Sequence, residues 1–257
     1  MPICVLSGVH VDKADDALLD NLSAILQNDI ASFSLSANTA GASRALRRLD
    51  AVACHFPPFL ALLVEPWQDR TDPGFAATLL DCARVHLYAR VLDDALDENL
   101  PIDRQHLLRM QPLFWRTVFA LGARYPALQE PCAALIAETV HAVAQDDRQA
   151  RPKDWGAKNH HLLLAPLLLS GNNDAFRAAQ PGLSGLIAVA QACEEREQGE
   201  LARRHMPGAV LACLPGWLDA QAVASLARHG WQSAARRLLR DGRGLLDSLE
   251  YQYTGSV

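Results

Sequence analysis

An all-α fold is predicted by three observations. Alternation of apolar and polar residues at period two is nearly absent, Asn-Gly hairpin turns are missing, and Ala, Leu, Arg and Gln recur throughout. The expected architecture is one large helical bundle over residues 1–257, with its central helices buried on most sides. At 257 residues and 50% apolar, the chain can bury a substantial core, and length alone permits one domain or two. No Gly/Ser-rich linker, charge block, low-complexity tract or fixed-period repeat divides it, so one domain is expected.

The helices follow from spacing and punctuation. The first runs from about Asp15 to Ser34, with Leu18, Leu22, Ile25, Leu26 and Ile30 on one face. A second begins near Ala42 and carries Leu46, Leu49, Val52 and Ala53 before Pro57 and Pro58, which are expected to interrupt it. After the turn-rich EPWQDRTDP, Asp72-Pro73 opens a third helix that ends in acids. Further helices are expected over Asp103–Ala123, kinked at Pro112, and over Ala127–Asp147, broken by RPKDWG. The rest should lie over Trp155–Ser170, Leu183–His205, Pro215–His229 and Trp231–Tyr251, for eight to ten helices in all.

Composition excludes several classes. A net charge of −5 with scattered Lys and Arg, and no basic stripe interleaved with aromatics, argues against a nucleic-acid surface. Cys4, Cys54, Cys82, Cys132, Cys193 and Cys213 lie far apart with no CxxC pair, a pattern of reduced, buried thiols rather than a disulfide framework or zinc site. The N-terminus has no apolar run typical of a signal peptide, and LLLAPLLL from Leu162 is too short to span a bilayer. A soluble cytoplasmic protein is expected, and a homodimer is compatible with the pattern.

The most informative stretch is FAATLLDCARVHLYARVLDDALDENLP. Asp93 and Asp97 are four residues apart, so their carboxylates stack on one helical face with Asp94 beside them. Nothing basic sits between them, and like charges at this spacing destabilise an isolated helix unless a cation relieves them. Hard oxygen ligands that leave the rest of the shell to water and phosphate describe a Mg²⁺ site serving a diphosphate. A solvated helix end is the ordinary alternative for a DDxxD. Here, however, the acids fall at a C-terminus, where the helix dipole disfavours them. They also follow a face of Val85, Tyr88, Ala89 and Leu92 that is apolar enough to be buried.

A second acid cluster, Glu194, Glu195, Glu197 and Glu200, follows the apolar run LIAVAQAC. Glu194 and Gln198 share one face, and Glu197 and Glu200 share another with Arg196, Arg203 and Arg204 nearby. For Glu197 and Glu200 alone, a solvated face of Glu-Arg pairs is an equal reading. Two such clusters facing each other across a bundle would hold Mg²⁺ between them, bind a diphosphate as a leaving group and let an apolar pocket receive the carbocation. Tyr88, Phe114, Trp115, Trp155, Phe176 and the pair Tyr251 and Tyr253 are available to stabilise that cation.

With these residues in view, the sequence resembles the class I isoprenoid synthases, the trans-prenyltransferases and terpene cyclases. LYARVLDDALDE is similar to the family's first aspartate-rich motif. VAQACEEREQ is similar to the second, with Gln191 matching the Gln that precedes it and Glu194, Glu195 and Gln198 in place of three aspartates. WGAKNHHLLL resembles the Lys-Thr segment whose lysine contacts the diphosphate, which points to Lys158. The resemblance covers roughly residues 75 to 205 and implies the fold of that family. It implies Asp93 and Asp97 as Mg²⁺ ligands with Asp94 beside them, completed by Glu194 or Glu195 and Gln198. Lys158 would meet the diphosphate, with Arg90, Arg203 and Arg204 as secondary candidates. Tyr88 and Ala89 would set how long a prenyl chain fits, at about fifteen carbons.

The sequence also departs from that pattern. GASRALRR and PIDRQH stand where isopentenyl-diphosphate-using members carry Gly-Gly-Lys-Arg and Arg-Arg-Gly, and EExxQ is not the cyclases' Asn-Ser-Glu motif. The implied activity is Mg²⁺-dependent ionisation of an allylic prenyl diphosphate, followed by cyclisation or transfer to an acceptor. The alternatives are a catalytically inactive prenyl-diphosphate-binding relative or modulating subunit of a partner synthase, and an unrelated helical interaction module.

Overall fold

A computed structural model of the chain describes residues 13–33, 40–67, 71–97, 101–145 and 151–254. Among these residues the protein is all-α, with twelve α-helices, three short 3-10 turns and no strand. The described residues group into two compact units, the first falling within 1–61 and 69–129, the second within 62–68 and 130–257.

The first unit is built from α1 (Lys13–Phe33), most of α2 (Ala40–Leu63), α3 (Pro73–Asp97) and α4 (Pro101–Arg124). In α1 the buried stripe is Leu19, Leu22, Leu26, Ile30 and Phe33, spaced by three and four residues. Helix α2 passes through Pro57 and Pro58 instead of stopping there. Each proline deletes one backbone hydrogen bond, but Phe56, Phe59 and Leu60 are buried around them, and that packing outweighs the local loss. Phe56 also stacks on His86, with ring centroids 4.1 Å apart.

Helix α3 starts where Asp72-Pro73 predicts. Pro73 occupies its first turn, and the Asp72 carboxylate accepts the Gly74 N–H at 2.8 Å. Its most buried stripe is Leu79, Ala83, Leu87, Val91 and Ala95, whereas Tyr88, Ala89 and Leu92 are half-buried and only Val85 of the expected face is fully buried. Helix α4 packs along α3 and runs on past Pro112.

Burial in this unit creates a pH dependence. His106 of α4 is fully buried, with the edge of Phe33 6.1 Å away. Desolvation, helped by the Arg109 charge, holds its imidazole below the ordinary 6.5. The unfolded chain therefore takes up a proton that the folded chain refuses, so stability present above pH 6.5 falls as the pH drops below it. Urea midpoints at about pH 7.5 and about pH 5.5 should differ in that direction, and His106→Gln should reduce the difference even if it lowers both midpoints.

The second unit holds α5 (Gln129–Gln145), α6 (Trp155–Lys158), α7 (Leu164–Leu169), α8 (Asn173–Glu197), α9 (Glu200–Arg203), α10 (Pro207–Trp217), α11 (Ala220–Arg228) and α12 (Gln232–Thr254). Helix α8 is its axis, packed by α6, α10, α11 and α12 and buried around most of its circumference from Gly182 to Cys193. It begins ten residues earlier than the expected Leu183, because Asn172 caps it by accepting the Asp174 and Ala175 N–H groups at 3.1 and 3.0 Å. A Cβ on Gly185 would lie 2.4 Å from the Trp217 carbonyl oxygen, so the absence of a side chain lets the end of α10 approach.

Residues 62–67 join this unit through α12. The buried Trp231 indole donates to the Leu63 carbonyl at 2.6 Å. The Glu65 carboxylate accepts the Ser233 N–H at 2.8–2.9 Å and the Ala234 N–H at 3.2 Å, capping the positive end of α12. Among the described residues no single helix is long and apolar enough to cross a membrane. The α10–α11 pair, bent by 52°, reaches that length and apolarity only together.

Candidate functional site

The first acid cluster closes α3. Asp93 is 46% exposed, and its carboxylate is ion-paired with the Arg90 guanidinium one turn earlier, at 2.6 Å. A cation supplied by the helix itself thus relieves part of the repulsion inferred from Asp93 and Asp97. The side chains of Asp94 and Asp97 lie outside the described residues. Tyr88 sits at the crossing with α4, where Gln111 Nε2 donates to its hydroxyl at 3.1 Å and its ring stacks on Phe114 with centroids 3.8 Å apart. If Tyr88 also bounds a prenyl pocket, Tyr88→Ala should admit a longer diphosphate or shift the product range. A purely structural tyrosine would give only a loss of about 3–5 kcal/mol with the products unchanged. Product chromatography and a melting curve on that variant separate the two outcomes.

The second cluster belongs to the other unit. The helix expected over Leu183–His205 ends at Glu197, because Gly199 adopts a left-handed conformation with φ +71° and starts the separate α9. Glu194 and Gln198 share a face as expected, and Gln198 Nε2 donates to Glu194 Oε1 at 3.1 Å. Glu195 is buried at 6% exposure. Glu200, on α9, pairs with both Arg203 and Arg204, so these two arginines make local ion pairs with the acid at the head of their own short helix.

The expected Trp155–Ser170 helix is broken after Lys158, and the break positions that residue. Asn159 leaves helical geometry, and its side-chain amide donates to the Trp155 carbonyl at 3.0 Å and to Gln191 Oε1 at 2.9 Å. His160 then bridges Glu138 at 2.8 Å and Ser184 at 3.1 Å. Gly156 packs so closely on α8 that a Cβ there would meet Ser184 Oγ at 2.3 Å. The segment carrying Lys158 is therefore fastened to α8 one turn before Glu194 and Glu195. Asp93, Arg90 and Tyr88 form one group in the first unit, and Lys158, Glu194, Glu195 and Gln198 another in the second.

Magnesium needs oxygen ligands but few of them from protein, commonly one or two carboxylates with water and phosphate filling the rest. Asp93, half-exposed near the end of α3, is one carboxylate of that kind, and the Arg90 guanidinium already pairs with it. Among the described residues no three His, Cys, Asp or Glu side chains converge. No family model, curated protein or solved structure matches the chain.

A polar site that the sequence reading missed lies in the first unit. A cavity of about 570 Å³ is lined by α1, α3 and α4, with Arg84, Arg109, Arg116 and Arg124 among its walls together with Asp29 and Asp81. Burial pushes the Asp81 carboxyl above its ordinary 3.8, against the downward pull of Arg124 and Arg84. Arg109, Arg116 and Arg124 recur on one face of α4, and that periodicity was available from sequence alone.

The described cysteines, Cys54, Cys82, Cys132, Cys193 and Cys213, are all free, and Cys4 lies outside the described residues. Burial pushes the Cys132 and Cys193 thiols up to about 11, Cys193 with help from Asp241. Cys54 is exposed. Because Cys54 is exposed and burial disfavours the reactive thiolate at Cys132 and Cys193, iodoacetamide should alkylate Cys54 before those two, as read by peptide mass spectrometry. Equal rates would contradict the packing of α8.

Proposed function

We propose that the chain binds an allylic prenyl diphosphate with Mg²⁺, ionises it, and cyclises the resulting cation or passes it to an acceptor. The observation that carries this reading is the hydrogen bond from Asn159 to Gln191. It ties the segment that carries Lys158 to the helix of the second acid cluster, which supports the two serving one ligand. Bound Mg²⁺ would supply charge neutralisation of the diphosphate leaving group.

In this reading the chain's own groups hold and orient the substrate. Lys158 contributes a point charge to the diphosphate, fixed in place by the Asn159 and His160 contacts. Asp93 offers its carboxylate to the metal, and Asp97 and Asp94 belong to the same turn of α3. Glu194 and Glu195 of α8 would offer carboxylates to Mg²⁺ within the second unit, with Gln198 donating to Glu194. A glutamate reaches further than an aspartate but holds the ion less rigidly. Tyr88, stacked on Phe114, presents an aromatic ring to the hydrocarbon side.

One observation favours the alternative of an inactive prenyl-diphosphate-binding relative: the Arg90 guanidinium already compensates Asp93. Mass spectrometry of products from geranyl, farnesyl and geranylgeranyl diphosphates, alone and with isopentenyl diphosphate, tests the enzyme reading. A cyclic or transferred product supports it. Unchanged substrate in every reaction would leave only binding.

A further inference from the structure

The arginine-lined cavity of the first unit is separate from the acid cluster of α3. Arg84 lies nine residues, or two and a half turns, before Asp93, so it projects from the opposite side of the helix. Two of the four arginines are already committed. Arg84 donates to both oxygens of Asp29 at 2.8 and 3.3 Å and lies 3.5 Å from Asp81. Arg124 donates to Asp81 and to Thr78 Oγ1, each at 3.1 Å, and Thr78 is held in turn by the Tyr125 hydroxyl at 2.8 Å.

Arg109 and Arg116 reach no carboxylate among the described residues, and both are exposed at the cavity wall. Four guanidiniums against two carboxylates leave an excess of two positive charges, on a chain whose net charge is −5. Seven residues separate the two uncommitted arginines, about 10 Å along α4, close enough for two long side chains to converge on one anion. Phe33, Leu80 and Leu113 give the same cavity an apolar wall, and its volume is within the usual range for small-molecule sites.

We propose that this cavity binds an organic phosphate, a dianionic head carrying a compact apolar body, with Arg109 and Arg116 gripping the phosphate. A phosphate monoester carries about −1.5 to −2 at neutral pH, which matches the excess of two charges, and its oxygens match the planar guanidinium fork. Asp29 and Asp81 keep Arg84 and Arg124 in fixed positions, so the wall is formed before the ligand arrives.

The test is a calorimetric titration of the full chain with hexyl phosphate in EDTA, which removes Mg²⁺ and so excludes metal-dependent binding at the acid clusters. Inorganic phosphate and succinate serve as comparison ligands. Saturable 1:1 binding is expected, tighter for hexyl phosphate than for inorganic phosphate and weakest for succinate. Arg109→Gln together with Arg116→Gln should weaken it by about tenfold or more, while Arg177→Gln, exposed on α8, should change nothing. No saturable binding, binding that persists in the double variant, or succinate binding as tightly as hexyl phosphate would each overturn the proposal. Both arginines are exposed, so the unliganded melting temperature should hold. If the double variant does not fold, Arg116→Gln alone is judged by the same loss of affinity.

Discussion

Asp93→Asn is expected to reduce pyrophosphate release from an allylic diphosphate by about two orders of magnitude or more, because on the proposed function it removes a carboxylate charge that would hold Mg²⁺ while keeping the side chain's size. Stability should scarcely change. The Arg90–Asp93 pair is 22% and 46% exposed, and pairs of that kind contribute only about 0–1 kcal/mol. The measurement is a coupled pyrophosphate assay beside a urea melt of the same preparation. Activity surviving in Asp93→Asn combined with Asp97→Asn would move the site elsewhere, whatever the melt shows.

Trp231→Ala should give the largest loss of stability, about 3–5 kcal/mol. The indole is 1% exposed, so truncation leaves a large cavity beside α12, and the Leu63 carbonyl loses the donor that meets it at 2.6 Å. Trp231→Phe separates the two contributions, because it keeps most of the volume and deletes only the N–H. Its cost should be about 1–3 kcal/mol, the desolvation of an unmatched buried carbonyl. Chemical denaturation of both variants reads the difference. If Trp231→Phe costs as much as Trp231→Ala, the hydrogen bond rather than the packing anchors Leu63 to α12.

Much of the helix inventory was legible because it rests on local chemistry. Asp72-Pro73 marks the start of α3 by a side-chain cap and a fixed φ, both readable from two adjacent letters. The misplacements have tertiary causes. Pro57 and Pro58 read as a stop, yet Phe56, Phe59 and Leu60 bury enough apolar surface for α2 to continue through them. The break after Lys158 depends on Asn159 finding Gln191 thirty-two residues away, a pairing that no local pattern announces. Gly199 is the reverse case. A glycine after a run of glutamates is a readable helix end, but the continuing Glu-Arg periodicity made one long helix look plausible.

For the candidate site, the helical spacing of Glu194 and Gln198 was enough to put them on one face, and they are hydrogen-bonded there. The sequence did not anticipate that Arg90 would pair with Asp93, although the i,i+3 spacing permits it. Nor did it find the arginine cavity, since that site combines α1, α3 and α4, and only the α4 face has a period visible in one segment.

The central claim is that the acid clusters and Lys158 serve an allylic diphosphate, and the most direct measurement is pyrophosphate release by the wild-type chain. Geranyl, farnesyl and geranylgeranyl diphosphates would each be incubated with Mg²⁺ and, separately, with EDTA. Mg²⁺-dependent release from at least one of the three is expected, lost in EDTA and lost again in Asp93→Asn. No release from any of them, or release indifferent to both Mg²⁺ and Asp93, would contradict it.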